Sequence, residues 1–220
     1  MSTQVPASTQ AVRNGRVDLA LHVRKAGEGT PLLLLHALYG SSAGWGREVE
    51  AWPGAVHALD FSGHGASGRV RGGAYFYDRM LSDADLALAR VGEAVVAGAG
   101  LGAWYALVLA GTRADRVPAC VLVPGEGLAG GGAEPDPLDV RPDLPSPEAA
   151  EAFRAAGRGC DPYVQTLEHD PRPLWFAAPF IEAARRLVLV DEDGPAPPWW
   201  EAVRAAGAER AGSLAEALAL

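Results

Sequence analysis

The stretch VVAGAGLGAWYALVLAG, residues 95–111, constrains the fold more than any other part of the sequence. It consists of a short apolar run, a turn with alternating glycines and a longer apolar run. This pattern predicts a buried strand, a tight turn and a buried helix. Gly98 and Gly102 have no side chains to collide where the helix folds back against the strand. Such a strand–turn–helix unit is typical of a parallel α/β sheet.

The rest of the chain continues this alternation. The pair Asn14 and Gly15 predicts a hairpin between two strands of alternating pattern. Further strands are predicted at 31–36, 55–60, 94–98, 118–124 and 185–190, and helices at 42–52, 76–92, 102–112, 148–157, 199–207 and 213–220. Strands that alternate with helices favour an α/β fold with a mostly parallel, twisted sheet and helices on both faces.

The chain is predicted to form one domain with a short lid. Residues 1–10 are expected to be a flexible tail and residues 11–220 a single domain, because a chain of 220 residues is long enough for one sizeable core. Residues 125–147 are rich in Gly, Pro and Asp, and such a composition does not form regular structure. The helix predicted at 148–157 is expected to be followed by an irregular stretch up to residue 179. We therefore expect residues 125–183 to leave the sheet as a lid over the carboxyl ends of its strands.

Composition excludes several classes of function. The formal net charge is −8 and the basic residues are not clustered, so no nucleic-acid partner is expected. The first ten residues lack the segments of a signal peptide, and no run approaches the roughly 18 apolar residues of a membrane span. These features predict a cytoplasmic protein without a membrane partner. Cys120 and Cys160 are not in metal-ligand spacing, and neither a metal site nor a cofactor is predicted.

Three segments, taken in order, resemble one known family. LLLLHALYGSS (32–42) resembles a strand and oxyanion loop of the α/β-hydrolase fold superfamily, and LDFSGHGASG (59–68) resembles its D-x-x-G-H-G-x-S turn. GAGLGAWYALVLAG (98–111) falls at the place of its G-x-S-x-G nucleophile elbow. The similarity covers residues 12–124 well and the remainder of the chain more loosely.

The resemblance implies an incomplete catalytic triad. Gly100 stands where the superfamily has its nucleophilic serine, so the usual acyl-enzyme chemistry is not expected. No histidine follows His169, although the superfamily has one near the C-terminus. Three carboxylates follow the strand at 185–190 and are candidates for the acid: Asp191, Glu192 and, as the closest match, Asp193. The chain therefore looks like a degenerate hydrolase.

The resemblance also implies an oxyanion hole of backbone N–H groups, which does not depend on the serine side chain. Its donors are Leu101 on one side and Ala37 or Leu38 on the other. Leu101 begins a helix, and a helix N-terminus favours anions. The result is a predicted pocket for a carboxylate, a phosphate or a polarised carbonyl. Three aromatic residues are predicted to line it: Tyr39, Trp45 and Trp104.

The histidines divide into candidate acid/base groups and structural residues. His36 lies at the mouth of the predicted pocket, where it either moves protons or orients the oxyanion loop by hydrogen bonding. His169 lies in the lid and is either a second acid/base candidate or a surface residue. His64, in the G-H-G turn, is predicted to be structural. His22 and His57 lie on predicted strands and are expected to be core or edge residues.

The sequence thus predicts a non-hydrolytic pseudo-hydrolase that binds a small molecule. Two alternatives remain open at this point. One is a hydrolase or lyase that acts on small esters or carbonyl compounds through His36, His169 or Asp193. The other is a structural or interaction subunit whose pocket is filled. The sequence leaves open whether the chain is an enzyme, and it predicts no oligomeric state.

Overall fold

The computed structural model describes residues 8–73, 75–130, 146–155, 159–191 and 196–220. Within these ranges eight strands form a single sheet. They are β1 Ser8–Asn14, β2 Val17–Lys25, β3 Leu32–Leu35, β4 Val56–Leu59, β5 Val95–Ala99, β6 Cys120–Val123, β7 Leu187–Val190 and β8 Glu209–Ala211. Their order in the sheet is β1-β2-β4-β3-β5-β6-β7-β8.

The same ranges contain six α-helices and three short 3₁₀ helices. The α-helices are α1 Tyr77–Val91, α2 Leu101–Thr112, α3 Pro147–Ala155, α4 Leu174–Ala183, α5 Pro198–Ala205 and α6 Leu214–Ala217. The 3₁₀ helices are Ser42–Gly44, Arg47–Ala51 and Pro162–Glu168. None of the helices in the described ranges has the length and hydrophobicity that crossing a bilayer requires.

The sheet is mostly parallel. β2 is antiparallel to both β1 and β4, whereas every neighbouring pair from β4 across to β8 is parallel. The four leucines of β3 are all buried, as expected for a strand covered on both faces. The predicted α/β architecture, with a mostly parallel sheet between two layers of helices, is confirmed.

The hairpin predicted at Asn14 and Gly15 is present. Asn14 pairs with Val17, which leaves two loop residues, and Gly15 has a φ of 60°, a value that favours glycine. β1 begins earlier than expected, since residues 8–10, predicted as part of a flexible tail, pair with β2. Residues 1–7 of that predicted tail lie outside the described residues.

Helix α2 is buried on all sides and positions the turn before it. Every residue from Leu101 to Ala110 is buried, which fits the uniformly apolar sequence LGAWYALVLA. A Cβ on Gly98 would overlap the carbonyl oxygen of Gly102, and a Cβ on Gly102 would overlap that of Leu35. The two glycines therefore allow α2 to lie directly against β5 and β3, as the sequence predicted.

Two separate cores lie on the two faces of the sheet. α1, α2, α4 and α5 pack on one face, around side chains that include Trp104 and Trp199. α6 and the 3₁₀ helix Arg47–Ala51 lie on the other face, where Trp45 and Val49 are buried. The loops that follow β3, β5 and β6 emerge between these two layers, at the carboxyl edge of the sheet.

Two local predictions are wrong. The single helix predicted over residues 42–52 consists of two 3₁₀ helices, and the first is capped by Ser41, whose Oγ accepts from the Ala43 amide. Gly44 and Gly46 weaken a continuous helix here, because glycine loses more conformational freedom than other residues. Strand β8 was not predicted, since its three residues are mostly exposed and lack an apolar alternation.

The segment predicted to form a lid is described only in part, because residues 131–145 and 156–158 lie outside the described ranges. Its described part contains α3, where a helix was predicted. It also contains the 3₁₀ helix Pro162–Glu168 and α4, where an irregular stretch up to residue 179 was expected. α4 packs against α2. Pro179 lies inside α4, and a proline at that position hides a helix from sequence patterns.

Gly102→Ala is expected to destabilise the fold, although alanine favours helices. The added methyl group would meet the carbonyl oxygen of Leu35, and overpacking of this kind costs about 1–3 kcal/mol. We expect the free energy of unfolding to fall by that amount in urea denaturation. Gly44→Ala is the control, since a Cβ at Gly44 would have no atom within 4 Å. Equal effects of the two changes would contradict the close packing of α2 on β3.

Candidate functional site

Gly100 alone connects the end of β5 to the start of α2. Its φ is 53° and its ψ is −116°, a conformation accessible to glycine and costly for residues with a side chain. A Cβ at this position would overlap the carbonyl oxygen of Glu126 and would lie 2.7 Å from the carbonyl carbon of Gly125. Glycine at position 100 therefore permits both the sharp turn and the close approach of the chain after β6.

The carbonyl oxygen of Glu126 binds the two backbone N–H groups that were predicted to form an anion site. It accepts hydrogen bonds from the Leu101 amide at 2.9 Å and from the Leu38 amide at 3.1 Å. Of the two predicted alternatives, Leu38 rather than Ala37 is thus paired with Leu101. The position expected to be open to a ligand holds an atom of the chain itself, so both donors are satisfied internally.

Residues 125–127, which we call the plug segment, form a largely exposed bridge over the Gly100 turn. Gly127 has a φ of 79°, and a Cβ on it would lie 2.8 Å from the Cβ of Leu38. The backbone oxygen of Glu126, and not its carboxylate, enters the site. The available sequence signal was the Gly-Glu-Gly run shortly after β6.

His36 is held by backbone groups on both sides of its ring. Its Nε2 accepts from the Phe61 amide at 3.1 Å, and its Nδ1 donates to the Ala37 carbonyl oxygen at 2.7 Å. The side chain is buried, and this burial lowers its pKa. A neutral ring with both nitrogens engaged orients the loop after β3, and neither nitrogen is left to exchange a proton with a ligand.

His64 is also buried and neutral. Its Nδ1 donates to the Ser62 carbonyl oxygen at 3.1 Å, and its ring centre lies 4.9 Å from that of His36. Burial, reinforced by the neighbouring His36, lowers the pKa of His64 to about 3. In the described ranges, no group of three or more His, Cys, Asp or Glu side chains is placed to hold a metal ion.

Tyr39 links the loop after β3 to the 3₁₀ helix Pro162–Glu168 and to α3. Its hydroxyl donates to Glu168 Oε1 at 2.5 Å, and its ring lies 5.6 Å from that of Phe153. His169, the next residue along the chain from Glu168, is exposed. Its side chain makes no hydrogen bond to the described residues around the Gly100 turn, so the structure gives it no defined role there.

Asp191 is the acid candidate that the structure describes, since Glu192 and Asp193 lie outside the described residues. Its carboxylate is 2% exposed and forms ion pairs with Arg204 and Arg210. The hydrogen bond from Arg204 lowers the pKa of Asp191. Because its oxygens bind Arg204 of α5 and Arg210 of β8, this carboxylate links the end of β7 to both elements.

A cleft of about 270 Å³ opens at the carboxyl ends of β3, β5 and β6. Its lining includes Ala37, Trp45, Ala99, Val123 and Leu214. β3 has β4 on one side and β5 on the other, so the direction of the chain across the sheet reverses here. In open α/β sheets, ligands bind in the crevice at such a switch point.

The predicted aromatic lining residues have different positions in the structure. Trp45 lines the cleft. Trp104 lies in the interior, with its ring centre 5.3 Å from that of Trp199 and 6.0 Å from that of Phe176. The sequence did not show which tryptophan lines the cleft and which is in the interior. Trp104 is covered by Phe176 of α4 and Trp199 of α5, and both residues are distant from it in the sequence.

Gly100→Ala is expected to destabilise the protein more than Gly15→Ala. Both glycines have a positive φ, 53° and 60°, so alanine at either position introduces backbone strain of about 1–3 kcal/mol. Only the methyl group at position 100 would also collide with Glu126, whereas a Cβ at Gly15 has no atom within 4 Å. We expect an additional loss of about 1–3 kcal/mol in urea denaturation. Equal losses would show that the plug segment does not rest on Gly100.

The buried His64 is expected to make folding sensitive to acid. The folded protein leaves this ring neutral down to about pH 3, whereas the unfolded chain binds a proton below about pH 6.5. Between these limits the unfolded state holds more protons, so the free energy of unfolding falls as the pH falls, by about 1.4 kcal/mol per pH unit. His64→Gln should remove this part of the slope in urea titrations. Identical slopes in both proteins would contradict the assignment.

The chain matches solved structures, but no protein-family model and no curated protein sequence matches it. Similar structures include the thioesterase domain from the curacin biosynthetic pathway, with a TM-score of 0.69 and 17% identity over 94% of this chain and 92% of that chain. The N-formylmaleamic acid deformylase of Pseudomonas putida has a TM-score of 0.64 and 20% identity over 93% and 90%. The bottromycin epimerase, in complex with bottromycin A2, has a TM-score of 0.61 and 21% identity over 92% and 88%.

At this level of identity the likeness establishes the fold and not the activity. The overlap extends over more than nine-tenths of the chain and includes the mostly parallel eight-stranded sheet with helices on both faces. The structural neighbours include a thioesterase and a deformylase. The protein has the α/β-hydrolase fold.

Proposed function

We propose that this protein is a non-hydrolytic member of the α/β-hydrolase fold that binds a small molecule in the cleft at the carboxyl ends of β3, β5 and β6. The observation that carries the proposal is the position of the Glu126 carbonyl oxygen, which accepts from both the Leu38 and the Leu101 amide. An acyl substrate would need those two donors for the oxygen that becomes negative in the transition state.

Among the residues that the structure describes, the groups that acyl transfer needs are absent or engaged elsewhere. Gly100 carries no nucleophilic atom, and no histidine follows His169 in the sequence. Both ring nitrogens of His36 bind backbone groups. Asp191 pairs with arginines. The alternative of a hydrolase or lyase that uses His36 is therefore less well supported than a binding function.

The cleft supports binding of a small ligand. Its volume of about 270 Å³ is close to the lower end of the roughly 300–1,000 Å³ that is usual for small-molecule sites. Its lining is mostly apolar, with Trp45 as its largest side chain. One structural neighbour is an epimerase in complex with bottromycin A2, so the fold also occurs in a protein that is not named a hydrolase. In this proposal the partner is a small molecule, not a nucleic acid or a membrane.

Turnover of nitrophenyl acetate tests the non-hydrolytic part of the proposal. The wild-type protein and Gly100→Ser should both release no more than one equivalent of nitrophenol per chain above the buffer rate. In the wild-type protein the Leu38 and Leu101 amides are occupied. In Gly100→Ser the added side chain displaces Glu126, but the serine still lacks a histidine base. Saturable release of many equivalents, lost in His36→Gln, would contradict the proposal and indicate a rebuilt active site.

A fragment screen by thermal shift tests the binding part. Fragments that raise the melting temperature of the wild-type protein should no longer do so in Leu214→Trp, because the larger side chain fills the cleft. Leu220→Trp is the matched control, since Leu220 is 51% exposed and does not line the cleft. The absence of any stabilising fragment, or equal shifts in Leu214→Trp, would count against the cleft as the binding site.

A further inference from the structure

Three side chains at the β1 edge of the sheet form a continuous chain of hydrogen bonds. The hydroxyl of Thr9 lies 3.0 Å from Nδ1 of His22, and Nε2 of His22 lies 3.0 Å from Oδ2 of Asp60. Thr9 and His22 are direct partners across the β1–β2 ladder, and Asp60 follows the end of β4. The sequence analysis assigned His22 only to a core or edge position.

The carboxylate at the inner end of this chain is fixed and ionised. Asp60 is 2% exposed, and it accepts from the Ser42 amide at 2.6 Å and the Ala66 amide at 2.8 Å besides His22. Burial opposes ionisation, but the hydrogen bonds from Ala66, Ser42 and His22 outweigh it and lower the pKa of Asp60. The carboxylate is held by three neighbouring segments and cannot turn away from His22.

The direction of the hydrogen bonds follows from the ionised Asp60. A carboxylate only accepts, so Nε2 of His22 must carry a proton and donate it. In the neutral imidazole Nδ1 is then an acceptor, and the hydroxyl of Thr9 is the donor. A hydroxyl that donates to a histidine, which is itself oriented by a buried carboxylate, is the arrangement that activates a nucleophile.

The Thr9 hydroxyl, at the outer end of these hydrogen bonds, is accessible to a reactant. β1 is the outermost strand of the sheet, and Thr9 is exposed on it. The side chain of His22 is 24% exposed, between the exposed hydroxyl and the buried carboxylate. Thr9 and His22 lie on the two outermost strands of this side of the sheet, β1 and β2, whereas the Gly100 turn follows β5 on the other side of β4 and β3. The reacting hydroxyl is thus separate from the site described above, although Asp60 also accepts from the Ser42 amide in the loop after β3.

We propose that Thr9 is an acylation site that accepts an acyl group from an activated ester or thioester. The Oγ of Thr9 attacks the carbonyl carbon of the donor while its proton passes to Nδ1 of His22. The new bond joins Oγ to the carbonyl carbon, and the bond from that carbon to the leaving oxygen or sulfur breaks. The leaving group takes the proton from His22, which returns to its neutral form. The product is an ester of Thr9, one per chain, and a free alcohol or thiol.

Site-resolved labelling of the full chain with nitrophenyl acetate tests this proposal. The rate of acetylation at Thr9 is compared by peptide mass mapping with that at Thr30, an exposed threonine whose hydroxyl has no histidine partner in the described part of the chain. Since a positioned general base contributes 10²–10⁴-fold, Thr9 should react at least about 10²-fold faster. Alkaline hydroxylamine should remove the label, as it does from oxygen esters and not from amides. Equal acetylation rates at Thr9 and Thr30 in the wild-type protein would by themselves overturn the proposal.

Two variants separate activation from mere exposure. Thr9→Val keeps the shape of the side chain and should abolish the label on that peptide. His22→Gln should lower the rate at Thr9 to that of Thr30, with labelling at Thr30 unchanged as an internal control. An undiminished rate in His22→Gln would overturn the proposal. Asp60 is left intact, because its substitution would also release Ser42 and Ala66.

The outcome is distinguishable from that of the hydrolysis experiment. Acylation of Thr9 releases one equivalent of nitrophenol and is lost in Thr9→Val. Release of many equivalents of nitrophenol by Thr9→Val would instead contradict the proposed non-hydrolytic function. The Thr9 proposal is tested separately, by the acetylation rate of the peptide that contains Thr9.

Discussion

The two hydrogen bonds from the Leu38 and Leu101 amides to one carbonyl oxygen join three loops that are far apart in the sequence. These loops follow β3, β5 and β6, which are neighbours in the parallel sheet, so their carboxyl ends converge at one edge. The amide of Leu101 is at the start of α2, where it has no partner within the helix. A carbonyl oxygen has two lone pairs and can satisfy both donors. The plug segment thus closes the part of the fold where unpaired backbone groups would otherwise remain.

This closure depends on the absence of a side chain at position 100. The backbone of Gly125 and Glu126 lies where a Cβ would be, so no other residue at position 100 is compatible with the plug segment in its observed place. In the function proposed, loss of the nucleophile and occupation of the anion site are a single structural change. The cleft beside Trp45 lies at the carboxyl ends of the same strands, and the proposed binding there does not require the two occupied amides.

The sequence was sufficient to predict the fold, but not the contacts made at the Gly100 turn. The apolar run of β3 is a local pattern that predicts a buried strand, and the spacing of Gly98 and Gly102 is a local pattern that predicts a strand, a tight turn and a helix. The contact between Glu126 and the Gly100 turn joins residues 26 positions apart through backbone atoms, and no side-chain pattern encodes it. The Thr9–His22 pair depends on hairpin register, which is set by the turn at Gly15, and the link to Asp60 requires the order of β2 and β4 in the sheet.

Amide hydrogen exchange of Leu38 and Leu101, followed by NMR of the ¹⁵N-labelled protein, tests the central claim most directly. If the Glu126 carbonyl occupies the site in solution, both amides exchange slowly and neither resonance shifts when acetate is added. Rapid exchange at either amide, together with a saturable shift on addition of acetate, would show an open anion site and contradict the account.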